Sequence, residues 1–300
     1  MGEGAGPAES WAACHGDLLR IARLQIFFVG GAPRSGTTWL QQILDAHPEV
    51  SCRGEGLFSQ HFATPLERVV ADRRKILEEK NSTLFRHTGG YPLPADGETD
   101  MLTGTAILLG FRQQVTDKPC RAVGEKTPEN VFVFPRLKRL FPAAKFVGIA
   151  RDPRDVLTSA WHYFHQATAG ADEAGAKLAF VRSALPSLGE GARRMIALDR
   201  EFPDDTVTVT YEALLRAPAQ VATQVFRFLG VSDRPEVVAA CLERTEFTRQ
   251  TGGRPKGVAE NGAFHRRGVA GDWRTTITPE LNALILQELG WMFPQFGWQP

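Results

Sequence analysis

Residues 26–48 read IFFVGGAPRSGTTWLQQILDAHP. An apolar run of strand length passes into Gly31-x4-Gly36-Thr37-Thr38, and the chain continues as TTWLQQILDAH. Trp39, Leu40, Ile43 and Leu44 fall there on one helical stripe. Strand, glycine-bearing turn and helix, in that order, are the setting of a phosphate-binding loop. Glycines let the backbone curl, and its N–H groups together with the helix N-terminus turn partial positive charge toward an anion. The cation of this loop is Arg34. A nucleotide triphosphatase would carry Lys where Thr37 stands.

Three more apolar runs, at 121–124, 145–150 and 206–211, are each followed by a stretch of helical spacing. Strand alternating with helix predicts an α/β fold. We expect one P-loop-like domain with a central parallel sheet of four to five strands, flanked by helices and carrying helical insertions. Residues 25–300 are expected to form that domain, and 1–24 a flexible segment running into a short helix. Insertions are read at 65–80, at 101–115 and at 175–202, the last broken near Pro186 and Gly189. Surface loops are expected at 86–98 and 251–263, long enough to gate a site. Thr278 and Pro279 mark the N-cap and first turn of a C-terminal helix. Right-handed crossovers bring the loops after the strands to one sheet edge, where ligands of open α/β sheets bind.

A second departure accompanies the missing loop lysine. A magnesium-dependent P-loop hydrolase needs an acidic residue at the end of a neighbouring strand, but KFVGIA ends in Arg151. A cation there favours direct phosphate binding without a metal. Thirty-five Lys and Arg against 34 Asp and Glu leave a net charge of +1, which provides no global field for nucleic acid. No apolar run is long enough to span a bilayer, and the first residues lack a signal-peptide pattern. The four cysteines are scattered, without a CxxC pair, which predicts no zinc site and a reducing, cytoplasmic setting.

PRSGTTWL resembles the 5′-phosphosulfate loop of the sulfotransferases that use 3′-phosphoadenylyl sulfate (PAPS). RDPRDVLTSAWHYF is similar to their 3′-phosphate strand and helix, and FHRRGVAGDWR to the late RKGxxGDW loop of the cytosolic members. The resemblance runs in family order from residue 26 to about 278. It implies a sulfuryl transfer to a hydroxyl, or an amine, that releases adenosine 3′,5′-bisphosphate (PAP). The residues it implies for the cofactor are Arg34, Ser35, Gly36, Thr37 and Thr38 at the phosphosulfate, and Arg151, Ser159, Arg266, Arg267 and Gly268 at the 3′-phosphate. Trp39, Thr245 and Phe247 lie beside adenine, and Tyr211 ends the fourth strand run. Taken singly, each has a plainer reading: Asp152 as a helix cap, Trp39 as core, Arg266 and Arg267 as a solvated face.

Sulfuryl transfer requires alignment, removal of the acceptor proton, and stabilisation of the departing phosphate. Arg34 and Lys126 are the expected cations for the last task. Lys126 lies in GEKTP and resembles the Lys of EKTP in heparan sulfate sulfotransferases, or of KTH in cytosolic ones. Pro128 stands where the cytosolic enzymes carry their histidine base. Glu55 is the first candidate for the base, because GEGL partly resembles the GEET segment of tyrosylprotein sulfotransferases. His61 is the second, and Glu125 is expected to orient Lys126. The acceptor is expected to be a small hydroxylated molecule, with Phe58, Phe62, Phe85, Tyr91, Phe111 and Phe164 as lining or as core. Two other readings stay open: a non-catalytic PAP-binding module and a divergent P-loop kinase.

Overall fold

A computed structural model describes residues 11–115, 118–164, 172–260 and 266–300. The beginning of the expected flexible segment, His165, His265 and the end of the expected 251–263 loop lie outside the described residues. Five strands, β1 (Gln25–Gly31), β2 (Val50–Arg53), β3 (Ala122–Lys126), β4 (Lys145–Ala150) and β5 (Thr206–Thr210), form a parallel sheet in the order β2-β3-β1-β4-β5. β2 is the strand that no apolar run announced. VSCR has four residues and pairs with β3 alone.

Alternation along the strands divides two cores. Ile26 and Phe28 of β1 and Phe146 of β4 face one layer, while Phe27, Val29, Val147 and Ile149 face the other. Both faces are covered, so β1 reads as a continuous apolar run. The helices are α1 (Trp11–Ala22), α2 (Thr37–Asp45), α3 (Thr64–Thr83), α4 (Glu98–Gln114), α5 (Asn130–Leu140), α6 (Pro153–Phe164), α7 (Glu173–Glu201), α8 (Tyr211–Arg216), α9 (Pro218–Phe228), α10 (Pro235–Arg244), α11 (Phe247–Gln250), α12 (Pro279–Leu289) and α13 (Met292–Phe296). α2 and α9 bury their apolar stripes on the second layer, and α5, α7 and α12 on the first.

α1 is docked, with the Arg112 Nε of α4 donating to Asp17 at 2.9 Å. Thr278 caps α12, its hydroxyl accepting from the Leu281 N–H. The expected break near Pro186 does not occur, since α7 runs unbroken for 29 residues. Proline in a helix interior costs about 3 kcal/mol. The buried Val181, Leu185, Ala192, Met195 and Leu198 of α7 offset that cost against the sheet.

Candidate active site

The loop after β1 is shaped by three residues with positive φ: Gly31 at 152°, Arg34 at 69° and Gly36 at 97°. A Cβ on Gly31 would stand 2.3 Å from the Ile149 carbonyl oxygen, and one on Gly36 would stand 2.6 Å from the Tyr211 ring. Arg34 holds a left-handed conformation without glycine's freedom, a strain of about 1–3 kcal/mol of the kind that clusters at ligand sites. α2 begins at Thr37 behind Gly36, which has no side chain to cap it, so the first amides of the helix remain for an anion. Ser35 is fully buried and its hydroxyl has no partner among the described residues.

Two cationic centres follow along the sheet edge. Arg34 Nε donates to Ser159 Oγ at 3.3 Å, and its guanidinium lies 4.4 Å over the Tyr163 ring. Burial lowers the Arg34 pKa, and the charge of Arg151 adds to the shift. Arg151, just beyond β4, donates to the carbonyls of Arg34 and Val269, each at 3.1 Å, and covers Tyr211 at 4.2 Å. One side chain thereby ties the phosphate loop to the late loop. Its Nε is buried without a partner among the described residues.

Arg266 and Arg267 lie on the late loop that Arg151 bonds, both paired with Asp272. Burial, then the charges of Arg267 and Arg151, push the Arg266 pKa down to about 10. Asp155 of α6 holds this late loop in place by accepting from the Gly271 and Trp273 N–H groups at 2.6 and 3.0 Å. Gly268 has φ 66°, and a Cβ there would meet Phe247 at 2.6 Å.

Between these centres lies a cleft of about 390 Å³. Trp39 and Phe247 line it, with Trp39 held edge-on to Tyr211 at a centroid distance of 5.9 Å. Arg34, Gly36, Thr37, Thr38, Arg151, Ser159, Tyr211, Arg266, Arg267, Gly268 and Glu55 share its walls. Thr245 does not: it is buried behind Phe247, with its hydroxyl donating to the Cys241 carbonyl at 2.9 Å. His61 is exposed in a π-helical turn (Phe58–Ala63), away from the cleft lining.

At the β3 side of the cleft, Lys126 Nζ donates to Glu55 Oε1 at 2.6 Å. Register places Lys126 beside Val29, two residues before Gly31, and it meets the cleft through Glu55, which lines it, while Lys126 itself does not. The ammonium end is nearly dry, with 6% of the Lys126 side chain exposed against 44% for Glu55. The expectation that Glu125 orients Lys126 is corrected here. Successive strand residues point to opposite faces, and Glu125 turns inward to accept from Thr127 Oγ1, Asn130 Nδ2 and the Gly56 N–H. Burial raises the Glu125 pKa, against the pull of those donors.

The six aromatics expected as lining or as core divide between those two fates and the surface. Phe111 is core and Phe58 packs on it, while Phe62, Phe85 and Tyr91 are exposed away from the cleft; Phe164 alone of the six lines it. The described part of the expected 251–263 gate packs against the late loop. Gly257 and Arg267 exchange backbone and side-chain bonds, and Lys256 stands 5.5 Å over Trp39. Tyr163, Gln250 and Lys256 line the cleft without having been anticipated. Tyr163 carries a legible signal: it lies one helical turn beyond Ser159 and therefore on the same face. Lys256 carries none.

A profile described as "Sulfotransferase family" matches residues 26–235. The chain belongs to the sulfotransferase family. Among curated sulfotransferases, protein-tyrosine sulfotransferase 2 of Gallus gallus is 30% identical over 221 residues, 73% of this chain and 54% of that protein. A putative protein-tyrosine sulfotransferase of Caenorhabditis briggsae is 27% identical over 207 residues, 69% of this chain and 66% of its own length. Cytosolic sulfotransferase 13 of Arabidopsis thaliana is 24% identical over 280 residues, 87% and 74% of the two chains. The chain thus spans between about half and two thirds of the first two relatives.

In fold it is similar to a mouse sulfotransferase complexed with PAP, at TM-score 0.55, 15% identity and coverage of 94% and 90%. A Mycobacterium avium sulfotransferase gives the same TM-score and identity, with coverage of 96% and 81%. The expected cytoplasmic location is corrected by these matches. They include protein-tyrosine sulfotransferases beside a cytosolic one, so scattered cysteines and the character of the first residues do not assign this sulfotransferase to a reducing compartment. No helix among the described residues is long and apolar enough to cross a membrane.

Proposed function

We propose that this sulfotransferase moves the sulfuryl group of PAPS to a hydroxyl acceptor and releases PAP. The observation that carries the reading is the cleft itself, which Arg34, Arg151, Arg266 and Arg267 line together with Trp39 and Phe247. The unpartnered Ser35 hydroxyl and Arg151 Nε fit a ligand rich in anionic oxygens, since buried polar atoms are almost always bonded. Arg34, Ser35, Thr37, Thr38 and the first amides of α2 would hold the phosphosulfate end. Arg151, Ser159, Arg266 and Arg267 would hold the ribose phosphate.

PAPS supplies the activated sulfuryl group, and the transfer is an in-line displacement with charge developing on the leaving phosphate oxygen. Arg34 in the cleft wall and Lys126 behind Glu55 stabilise that charge, and one such donor is worth about 2.7–4 kcal/mol. Glu55 takes the acceptor proton. Its carboxylate is half exposed, within reach of an incoming hydroxyl, and is steered by the Lys126 ammonium. With Thr37 in place of the P-loop lysine and Arg151 where a metal-binding acid would stand, the reaction runs without a divalent ion. The acceptor is an alcohol or phenol. Relatives named protein-tyrosine sulfotransferases support including phenolic side chains among those tested.

Incubating the chain with sulfur-35-labelled PAPS, a chelator, and a panel of alcohols, phenols and tyrosine peptides should transfer label to at least one acceptor. Calorimetry should show PAP binding. A chain that ignores PAP and instead takes up magnesium–ATP would overturn the proposal.

A further inference from the structure

Glu125 is the residue beside the Lys126 ammonium, yet its side chain takes no part in the cleft. It is 2% exposed, and both carboxylate oxygens are used. Oε2 accepts from Thr127 Oγ1 at 2.7 Å and from the Gly56 N–H at 3.1 Å, and Oε1 accepts from Asn130 Nδ2 at 2.7 Å. Asn130 Nδ2 also donates to the Val29 carbonyl at 3.1 Å, near the end of the strand that enters the phosphate loop. Gly56 is the residue after Glu55, so its N–H belongs to the peptide plane that carries the Glu55 carbonyl. Gly54, Glu55 and Gly56 are exposed, which leaves Glu125 as a buried anchor for an otherwise solvated turn.

We infer that Glu125 is a positioning residue that fixes the Glu55 turn against Lys126 and couples it, through Asn130, to the strand bearing the phosphate loop. The inference rests on the reading of Glu55 as the base. β3 then supplies both halves of the proposed base–cation pair. Position 126 bonds the Glu55 carboxylate with its ammonium, and position 125 holds the peptide that presents that carboxylate. A reacting geometry is sensitive to this anchor, since a displacement of about 1 Å can cost about 100-fold in rate. Glutamine at 125 keeps one acceptor oxygen where there were two, so either Gly56 or Asn130 loses its bond.

The test uses the full chain, labelled PAPS and the alcohol or phenol sulfated fastest in the screen above. Glu125→Gln should lower kcat by about 10- to 100-fold while the Kd for PAP stays within about threefold. Glu55→Gln should cost about 100-fold or more, and the double variant should be no slower than Glu55→Gln alone, since coupled residues are not additive. Hydrogen exchange at the Gly56 amide should speed up by about tenfold in Glu125→Gln. Circular dichroism checks folding. If Glu125→Gln does not fold, Glu125→Asp, which retains charge but falls short of Gly56, should give the same kcat loss. Full kcat in a folded position-125 variant beside an inactive Glu55→Gln overturns this inference alone, as do losses that multiply in the double variant. Full activity of Glu55→Gln overturns the reading of the base and this inference with it.

Discussion

Replacing Lys126 by methionine removes one ammonium and little else. The side chain it replaces is 6% exposed, and methionine fills a similar volume with flexible apolar atoms. The partner left behind, Glu55, is 44% exposed, so water takes over its solvation. No charge is stranded in the interior, an outcome that would cost about 3–5 kcal/mol. A pair with one wet partner contributes about 0–1 kcal/mol to stability, so Tm should fall by at most about 2–4 °C in a chain of this size. The transition state fares differently. A donor aimed at the developing charge is worth about 2.7–4 kcal/mol, or about 10²–10³ in rate. Lys126→Met should therefore lose kcat by that factor in single-turnover measurements with labelled PAPS, while calorimetry gives a Kd for PAP within about threefold of the parent. A kcat within threefold of the parent would refute the reasoning. So would a loss confined to PAP affinity, which would make Lys126 a binding residue.

Arg151→Ala gives up two carbonyl contacts and the Tyr211 face, and charged hydrogen bonds are worth about 1.5–3 kcal/mol each. PAP should bind about 30-fold or more weakly by calorimetry and adenosine 5′-monophosphate much less so; equal losses would sink the 3′-phosphate assignment. Gly268→Ala meets φ 66° and the Phe247 ring at 2.6 Å, a backbone strain of about 1–2 kcal/mol plus a displaced ring. PAP affinity should fall about tenfold, and an unchanged Kd would mean that Phe247 does not contact the base.

Stability should also fall in acid through His47. This ring is fully buried, accepts the Glu49 N–H at Nδ1, and donates from Nε2 to the Ser232 carbonyl. Burial holds its pKa below 6.5, so the unfolded chain takes the proton first. Its stabilising effect is complete above about pH 6.5 and declines as pH drops below it. Urea midpoints at pH 7.5 and 5.5 should diverge more in the parent than in His47→Gln.

What could be read in advance was local in sequence. The loop from Gly31 to Thr38 combines glycines, a cation and a helix start within eight residues, β1 carries the unbroken apolar run IFFVG, and shorter apolar stretches mark β3, β4 and β5. β2 lacked both marks: four residues, one a serine, at the end of the sheet. The partner of Lys126 was misjudged for a related reason. Adjacency suggested Glu125, but strand alternation sends neighbours to opposite faces, and only the pairing of β2 with β3 brings Glu55 into range. Lys256 reaches the cleft because the loop around Gly257 is bonded to Arg267, a contact between two irregular segments that no periodicity marks. Pro186 failed as a helix breaker because the cost of one proline is small beside five buried apolar side chains.

β2 touches a single neighbour, and between its last residue and the first of β3 the chain makes a 68-residue excursion, from 54 to 121. The donor half of the cleft hangs on the ends of β1, β4 and β5 and owes that excursion nothing beyond Glu55. The excursion can therefore vary while the residues that line the cleft, all but Glu55 lying outside it, stay where they are.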